Sequence, residues 1–215
     1  YLNKFEIETS YGIKAWKRWG NTAEQIIKSN PYVLCIQGVD LSFSRADAVA
    51  AKSDIPADSE CRIKAGITYI LRQNADQGHT CLPLDSLVKT AVSYLDVDEK
   101  LIKKVIEDET EEENLYYYDK HGRRFVMLAD FYKAEDYIAR RLAIMRQISY
   151  DNKIDFSEVI DLEEENNGIQ YEKIQREAIN LALSKGFLVL TGGPGTGKTT
   201  TLNAIISLYQ QQGLN

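Results

Sequence analysis

Proline, cysteine and histidine are all scarce in this chain, with 4, 3 and 2 copies in 215 residues. So little proline, beside only 13 glycines, excludes a collagen-like or a low-complexity disordered chain. The cysteines, Cys35, Cys61 and Cys81, are odd in number and widely spaced, which excludes a disulfide scaffold. They form no CxxC pair, and with only His79 and His121 to assist they read as unbridged, mostly buried thiols, not metal ligands. Long apolar runs are also missing: no stretch of about 18 apolar residues occurs, and the first thirty residues lack the order of a signal peptide. The expectation is a cytoplasmic chain with no membrane partner. It starts at Tyr1, not at methionine, and it stops at Asn215 within an unfinished order of elements, so a fragment is expected.

What is present is ordinary for a globular protein, with 44% hydrophobic and 27% charged residues. The net charge of −6 argues at first against a nucleic-acid partner. Its distribution argues the other way. Residues 96–113 and 151–167 each carry −6, which leaves the rest of the chain at +6. Acid runs of this kind read as solvated faces or linkers, and the remaining basic surface is compatible with DNA or RNA.

Capping and periodicity predict many short helices. Ser10 is expected to cap a helix over 11–19 ended by Gly20, and Thr22 a second one ended by Asn30-Pro31. A third starts near Ser44, and a longer one runs over 58–77 with Ile63, Ile67, Ile70 and Leu71 on one stripe and Gly78 as its stop. Asp85 and Asp98 read as caps of helices over 86–95 and 99–106. Residues 115–118 and 124–128 read as the arms of a hairpin whose turn lies in 119–123. An amphipathic helix over 130–148 follows, with Arg140, Arg141 and Arg146 on its polar side.

The strongest chemical signal lies at residues 187–212, which read as an apolar strand, a glycine-rich loop and a helix with a stripe of Leu202, Ile205, Ile206 and Tyr209. Gly192, Gly197, Lys198 and Thr199 fit the pattern GxxxxGK[ST], and Gly193, Pro194, Gly195, Thr196 and Thr200 complete the loop. Glycines let the backbone wrap phosphates and aim N–H groups at them, and the helix start adds a favourable dipole. Lys198 is expected against the β and γ phosphates of ATP, and the Thr199 hydroxyl on Mg2+. A nucleotide-binding site is therefore expected. Hydrolysis also needs an acid for Mg2+ and a group that positions water. The apolar runs ending in Asp96 and Asp161 precede the loop in helical or acid-rich settings and read as structural. The isolated 215 residues are expected to be inactive as an ATPase.

Tyr171 to Ile179, leading into Thr191 to Thr201, closely resembles the RecD/TraA family of superfamily 1 DNA helicases. In that family the glutamine matching Gln175 reads the adenine edge, a task suited to a bidentate amide; Gln175 also reads as an exposed helix residue. Tyr171 reads either as a base-stacking ring or as local packing. Asn30 to Leu34, Phe43 to Asp47, and Ile67 to Pro83 resemble the N-terminal region of the long RecD-like helicases. That resemblance implies helix-hairpin-helix units, whose hairpin glycines offer N–H groups to DNA phosphates. Here Asp40 and Ser42 stand at the matching hairpin positions, which favours a structural role for 36–50, with a shifted hairpin at Gly38 as the alternative.

Further candidate DNA contacts are Ser44 and Arg45, then Lys14, Lys17 and Arg18 beside Trp16 and Trp19, and the hairpin tip with Lys120, Arg123 and Arg124. Each group also has a plainer reading, as core aromatics or a solvated tip. The fold expected is mostly α: helix-hairpin-helix-like units over 1–82, a winged-helix-like unit with a β-hairpin over 83–150, an acidic linker over 151–168, and the first strand and helix of a RecA-like α/β domain over 169–215. The resemblance implies an ATP-dependent DNA helicase, moving 5′ to 3′ on single-stranded and forked DNA, with single-strand binding or other repair proteins as partners. The competing readings are a nucleotide-switched binding module and another P-loop ATPase of conjugation or transposition.

Overall fold

The computed structural model describes residues 1–148 and 156–211. The chain is mostly helical, 67%, with a small three-stranded antiparallel sheet. It forms two compact units, Tyr1–Ala134 and Glu135–Asn215.

The first unit contains α1 (Thr9–Trp19), α2 (Ala23–Ser29), α3 (Phe43–Ala51), α4 (Glu60–Asp76), β1 (Cys81–Pro83), α5 (Leu84–Leu95), α6 (Glu99–Glu111), β2 (Leu115–Lys120) and β3 (Arg123–Leu128), followed by the first turns of α7 (Ala129–Gln147). Its organising element is α4, whose Ile63, Ile67, Ile70 and Leu71 are all buried as their spacing predicts. Each fully buried aliphatic chain of this kind contributes about 1.5–3 kcal/mol. The core continues without interruption from Leu2 to Leu128, so residue 82 does not separate two cores.

Several caps differ from expectation. Helix α1 starts two residues early, with Glu8 at its cap, and Thr22 donates back to the Trp19 carbonyl at 2.7 Å instead of capping α2. Asp85 lies in the first turn of α5, behind Pro83, whose fixed φ favours a helix start. Asp98 does cap α6, accepting from the Lys100 amide at 2.8 Å. That helix then continues through the acids to Glu111, where Lys64 lies 2.8 Å from the buried Glu109 carboxylate and 3.4 Å from Glu112. Part of the first acid run is therefore neutralised within the fold and is not a solvated face.

Gly66 faces α5. A Cβ there would lie 2.6 Å from Cδ2 and 3.1 Å from Cγ of Leu95, a side chain 2% exposed. Gly66→Ala is expected to lower stability by about 1–3 kcal/mol through overpacking, less the roughly 1 kcal/mol that alanine returns in helix propensity. A urea midpoint equal to or above that of the parent chain would contradict the close approach.

The hairpin forms with longer arms than expected, closed by His121-Gly122, both at positive φ (50° and 72°). Two consecutive positive φ values match the right-handed twist of the arms. The short β1, which no periodicity signals over three residues, pairs with β3 at Cys81–Met127 and Pro83–Phe125. Cys35, Cys61 and Cys81 are unbridged thiols, each half-buried. Burial, aided by the Asp47 charge, pushes the Cys35 thiol up to about 12.

The second unit contains the remainder of α7, then α8 (Ser157–Asn167), α9 (Lys173–Ser184) and α10 (Lys198–Gln211). None of the residues of α7 is buried, so the helix that carries Arg140, Arg141 and Arg146 sinks no apolar stripe into a core among the described residues. The segment expected as an acidic linker is a helix over Ser157–Asn167, while residues 149–155 lie outside the described residues. Its Ile160 packs with Tyr171, Ile179, Leu183, Ala204, Ile205 and Leu208. The carboxylate of Glu163, 3% exposed, is satisfied by the amides of Asn167 and Gln211, each at 2.8 Å.

Two further corrections concern the C-terminal strand and helix. Phe187 to Leu190 makes no ladder with any described residue, and Val189 is 67% exposed. A parallel strand exists only beside its neighbours. The buried stripe of α10 is Thr201, Ala204, Ile205 and Leu208, which leaves Leu202 and Ile206 exposed.

Candidate nucleotide and nucleic-acid sites

The glycine-rich loop occupies residues 191–197 and runs directly into α10. Gly195 and Gly197 both hold φ of 76°, a conformation that side chains rarely adopt. A Cβ on Gly192 would meet the Thr196 hydroxyl at 2.8 Å, and one on Gly197 would meet the Gln175 amide nitrogen at 2.2 Å. Glycine is thus required three times by the shape of the loop itself. The Thr196 hydroxyl donates to the Gly193 carbonyl at 3.0 Å, and the Thr201 amide and hydroxyl bond the Gly197 carbonyl at 2.9 and 3.0 Å.

The ammonium of Lys198 reaches back over the loop and donates to the carbonyls of Gly192 at 2.7 Å and Gly193 at 2.5 Å. The fold therefore brings the cation to the loop, and its present partners are weak neutral acceptors that an anion can replace. Thr199 is exposed on the first turn of α10 and Thr200 is half-buried. Pro194 is exposed in the same loop. An anion-accepting helix start, a cation and a free hydroxyl together fit a triphosphate with Mg2+.

Gln175 lies against the same loop. Its Nε2 donates to the Thr196 carbonyl at 3.4 Å, while its Oε1 accepts from the Glu172 amide at 2.9 Å in a capping box that starts α9. The amide thus sits beside the glycine-rich loop and at the same time serves the helix cap. Tyr171 is buried, 6% exposed, among the helices of the second unit, and of its two readings the structure supports packing. Arg176 clamps this region, bonding Glu164 at 2.6 Å and Asp161 at 2.5 Å. Asp161 lies within α8 and Asp96 ends α5 as its C-cap at φ of 55°, both away from any strand end, as expected.

In the first unit the tight turn after residue 36 is centred on Gly38 and Asp40, at φ of 94° and 62°. Ser42 instead precedes α3 in extended backbone, outside that turn. Asp40 accepts from the Gly38 amide at 3.0 Å, and Lys14 donates to the Val39 carbonyl at 3.1 Å. Lys14, Lys17 and Arg18 line an open cavity of about 320 Å³ with Gly38 and Val39. Trp16 is 60% exposed, which excludes the core reading, whereas Trp19 packs against the core.

The remaining candidates divide sharply. Arg45 is held by Glu8 at 2.9 Å and by the Glu6 carbonyl at 3.0 Å, so its charge serves the fold. Arg124 stays exposed but pairs with Asp119 at 3.1 Å and covers the Tyr117 ring, so its charge is already partnered. Ser44 is exposed. Lys17, Lys120 and Arg123 are exposed and carry no ion pair among the described residues.

Comparison with known proteins agrees with this geometry at both ends. Residues 1–81 match the family model of the ATP-dependent RecD2 DNA helicase HHH domain, and residues 175–215 match an AAA domain model. The chain is 58% identical over 38 residues to the RecBCD enzyme subunit RecD of Mycobacterium tuberculosis (strains CDC 1551 / Oshkosh and ATCC 25618 / H37Rv) and of Mycolicibacterium smegmatis. That stretch covers 18% of this chain and 7% of each relative. The two model matches and the shared stretch together support a RecD-like helicase N-terminal region.

Proposed function

We propose that this chain is the N-terminal part of an ATP-dependent DNA helicase that moves 5′ to 3′ on single-stranded DNA and unwinds forked duplexes in repair or recombination. The observation that carries the reading is the phosphate loop, where Lys198, two positive-φ glycines and the start of α10 converge beside Gln175. Bound MgATP supplies the free energy of phosphoryl transfer. The chain's own residues hold it: loop amides and Lys198 bind the phosphates, Thr199 holds Mg2+, and Gln175 exchanges its Thr196 contact for the adenine edge.

No Asp or Glu follows Lys198 among the 215 residues. The chain alone therefore binds MgATP without turning it over, because hydrolysis needs a carboxylate for the metal and a positioned water. The exposed Val189, Leu202 and Ile206 supply the apolar face that neighbouring strands of the nucleotide-binding domain cover. The helical first unit engages DNA in the cytoplasm, beside single-strand binding or other repair proteins.

The test is ATP hydrolysis by the full-length protein with and without single-stranded DNA. Stimulation of tenfold or more is expected. A rate indifferent to DNA would reject the motor.

A further inference from the structure

The two faces of the three-stranded sheet differ in a way the core does not require. Leu115, Tyr117, Val126 and Leu128 point to one face and enter the core of the first unit. The register then places three cross-strand pairs on the other face: Tyr116 with Met127, Tyr118 with Phe125, and Lys120 with Arg123. Tyr132 of α7 stacks on Tyr116 at 4.1 Å with the rings 3° from parallel. Tyr118 is 46% exposed and tilted 50° from Phe125, whose ring centre is 6.5 Å away, so its face is not consumed by the pair.

The Lys120–Arg123 pair sets like charges directly opposite each other, an arrangement that destabilises a hairpin. The acid at the tip does not relieve it. Asp119 belongs to the opposite face and is committed to Arg124 at 3.1 Å. Glu113 is at the far end, near the Tyr116 hydroxyl at 3.5 Å. Two unneutralised cations beside an open aromatic ring are what a single nucleic-acid strand needs: a phosphate site, and a platform for bases that does not read sequence.

We propose that this sheet face binds single-stranded DNA, with a phosphate between Lys120 and Arg123 and a base stacked on Tyr118 and Phe125. The proposal deepens the helicase reading and rests on it for the identity of the strand as DNA.

The test is fluorescence anisotropy of the 215-residue chain with labelled oligo-dT across a salt series, with MgATP affinity measured on the same preparations. Tyr118→Leu is expected to weaken DNA binding about tenfold at an unchanged salt slope, and Tyr118→Phe to retain it. Lys120→Gln with Arg123→Gln is expected to flatten the log–log salt slope by about 0.7, the share of the one phosphate held between them. Ultraviolet crosslinking is expected to map to Tyr118 or Phe125. Parental DNA affinity in both variants, crosslinks confined to Trp16, or preference for an acidic peptide over oligo-dT would overturn the proposal. If MgATP affinity stays intact in that case, the helicase reading survives; if MgATP binding is itself absent, that reading falls independently.

Discussion

Lys198→Ala is expected to abolish ATP turnover by the full-length protein, by at least about 100-fold, and to weaken MgATP binding by the 215-residue chain about 10- to 100-fold. The second figure follows from the roughly 1.5–3 kcal/mol of a hydrogen bond to a charged group. The first is larger because charge on the transferring phosphoryl grows toward the transition state, where a preorganised cation is worth more than in the ground state. Because among the described residues the Lys198 ammonium donates to the exposed carbonyls of Gly192 and Gly193 alone, its removal leaves no buried partner stranded, and the thermal midpoint should not move. Nucleotide titration and a melting curve on the same protein check both halves. Full turnover in the variant would show that the ammonium serves only to close the loop.

Arg62→Ala is expected to cost about 3 kcal/mol of stability, near the lower end for breaking a buried pair, since its partner Asp47 keeps some contact with water. The guanidinium donates to both Asp47 oxygens at 2.7 and 3.1 Å, to the Ala57 carbonyl at 2.7 Å and to the Leu95 carbonyl at 2.8 Å. Tyr32 donates to the same carboxylate at 2.5 Å. The Arg62–Asp47 pair thereby ties α3, α4, the end of α5 and the 3-10 helix Pro31–Cys35 together. The pair also makes stability depend on pH. Desolvation pushes the Asp47 carboxyl up, but the hydrogen bonds from Arg62 and Tyr32 outweigh it and hold the group below its usual range. A depressed folded value stabilises the protein above the unfolded value of about 3.9, and this contribution disappears as pH falls from about 4 through the folded value. Urea midpoints between pH 6 and 3 should fall for the parent chain and be flatter for Asp47→Asn over the acid end; parallel curves would contradict the account.

What could be read from the residues followed how local each signal is. The glycine-rich loop ahead of α10 is legible because glycine, lysine and threonine at fixed spacing have few other uses. The stripe of α4 is legible because Ile63, Ile67, Ile70 and Leu71 repeat over a full helix. The hairpin is legible from its apolar arms and its His121-Gly122 turn. Non-local facts are hidden. Nothing near Arg45 in the chain announces Glu8, which consumes it from 37 residues away. Asp47 and Arg62, 15 residues apart, look like two surface charges. The helix Ser157–Asn167 is obscured by its own acids, because the burial of Glu163 depends on Gln211, 48 residues downstream. The stripe of α10 differs from expectation because apolar residues surround that helix on both sides, and only packing selects Ala204, Ile205 and Leu208 over Leu202 and Ile206.

The loop of residues 192–200 as a triphosphate grip is what the functional account stands on, and amide chemical shifts of the 15N-labelled chain report on it residue by residue. Titration with MgATP should move the amides of Gly193 and of Gly195 to Thr200 saturably and shift Gln175's side-chain amide as its Thr196 contact is exchanged, with the first unit unchanged. A well-dispersed spectrum in which those amides stay fixed while MgATP reaches millimolar concentration would contradict it.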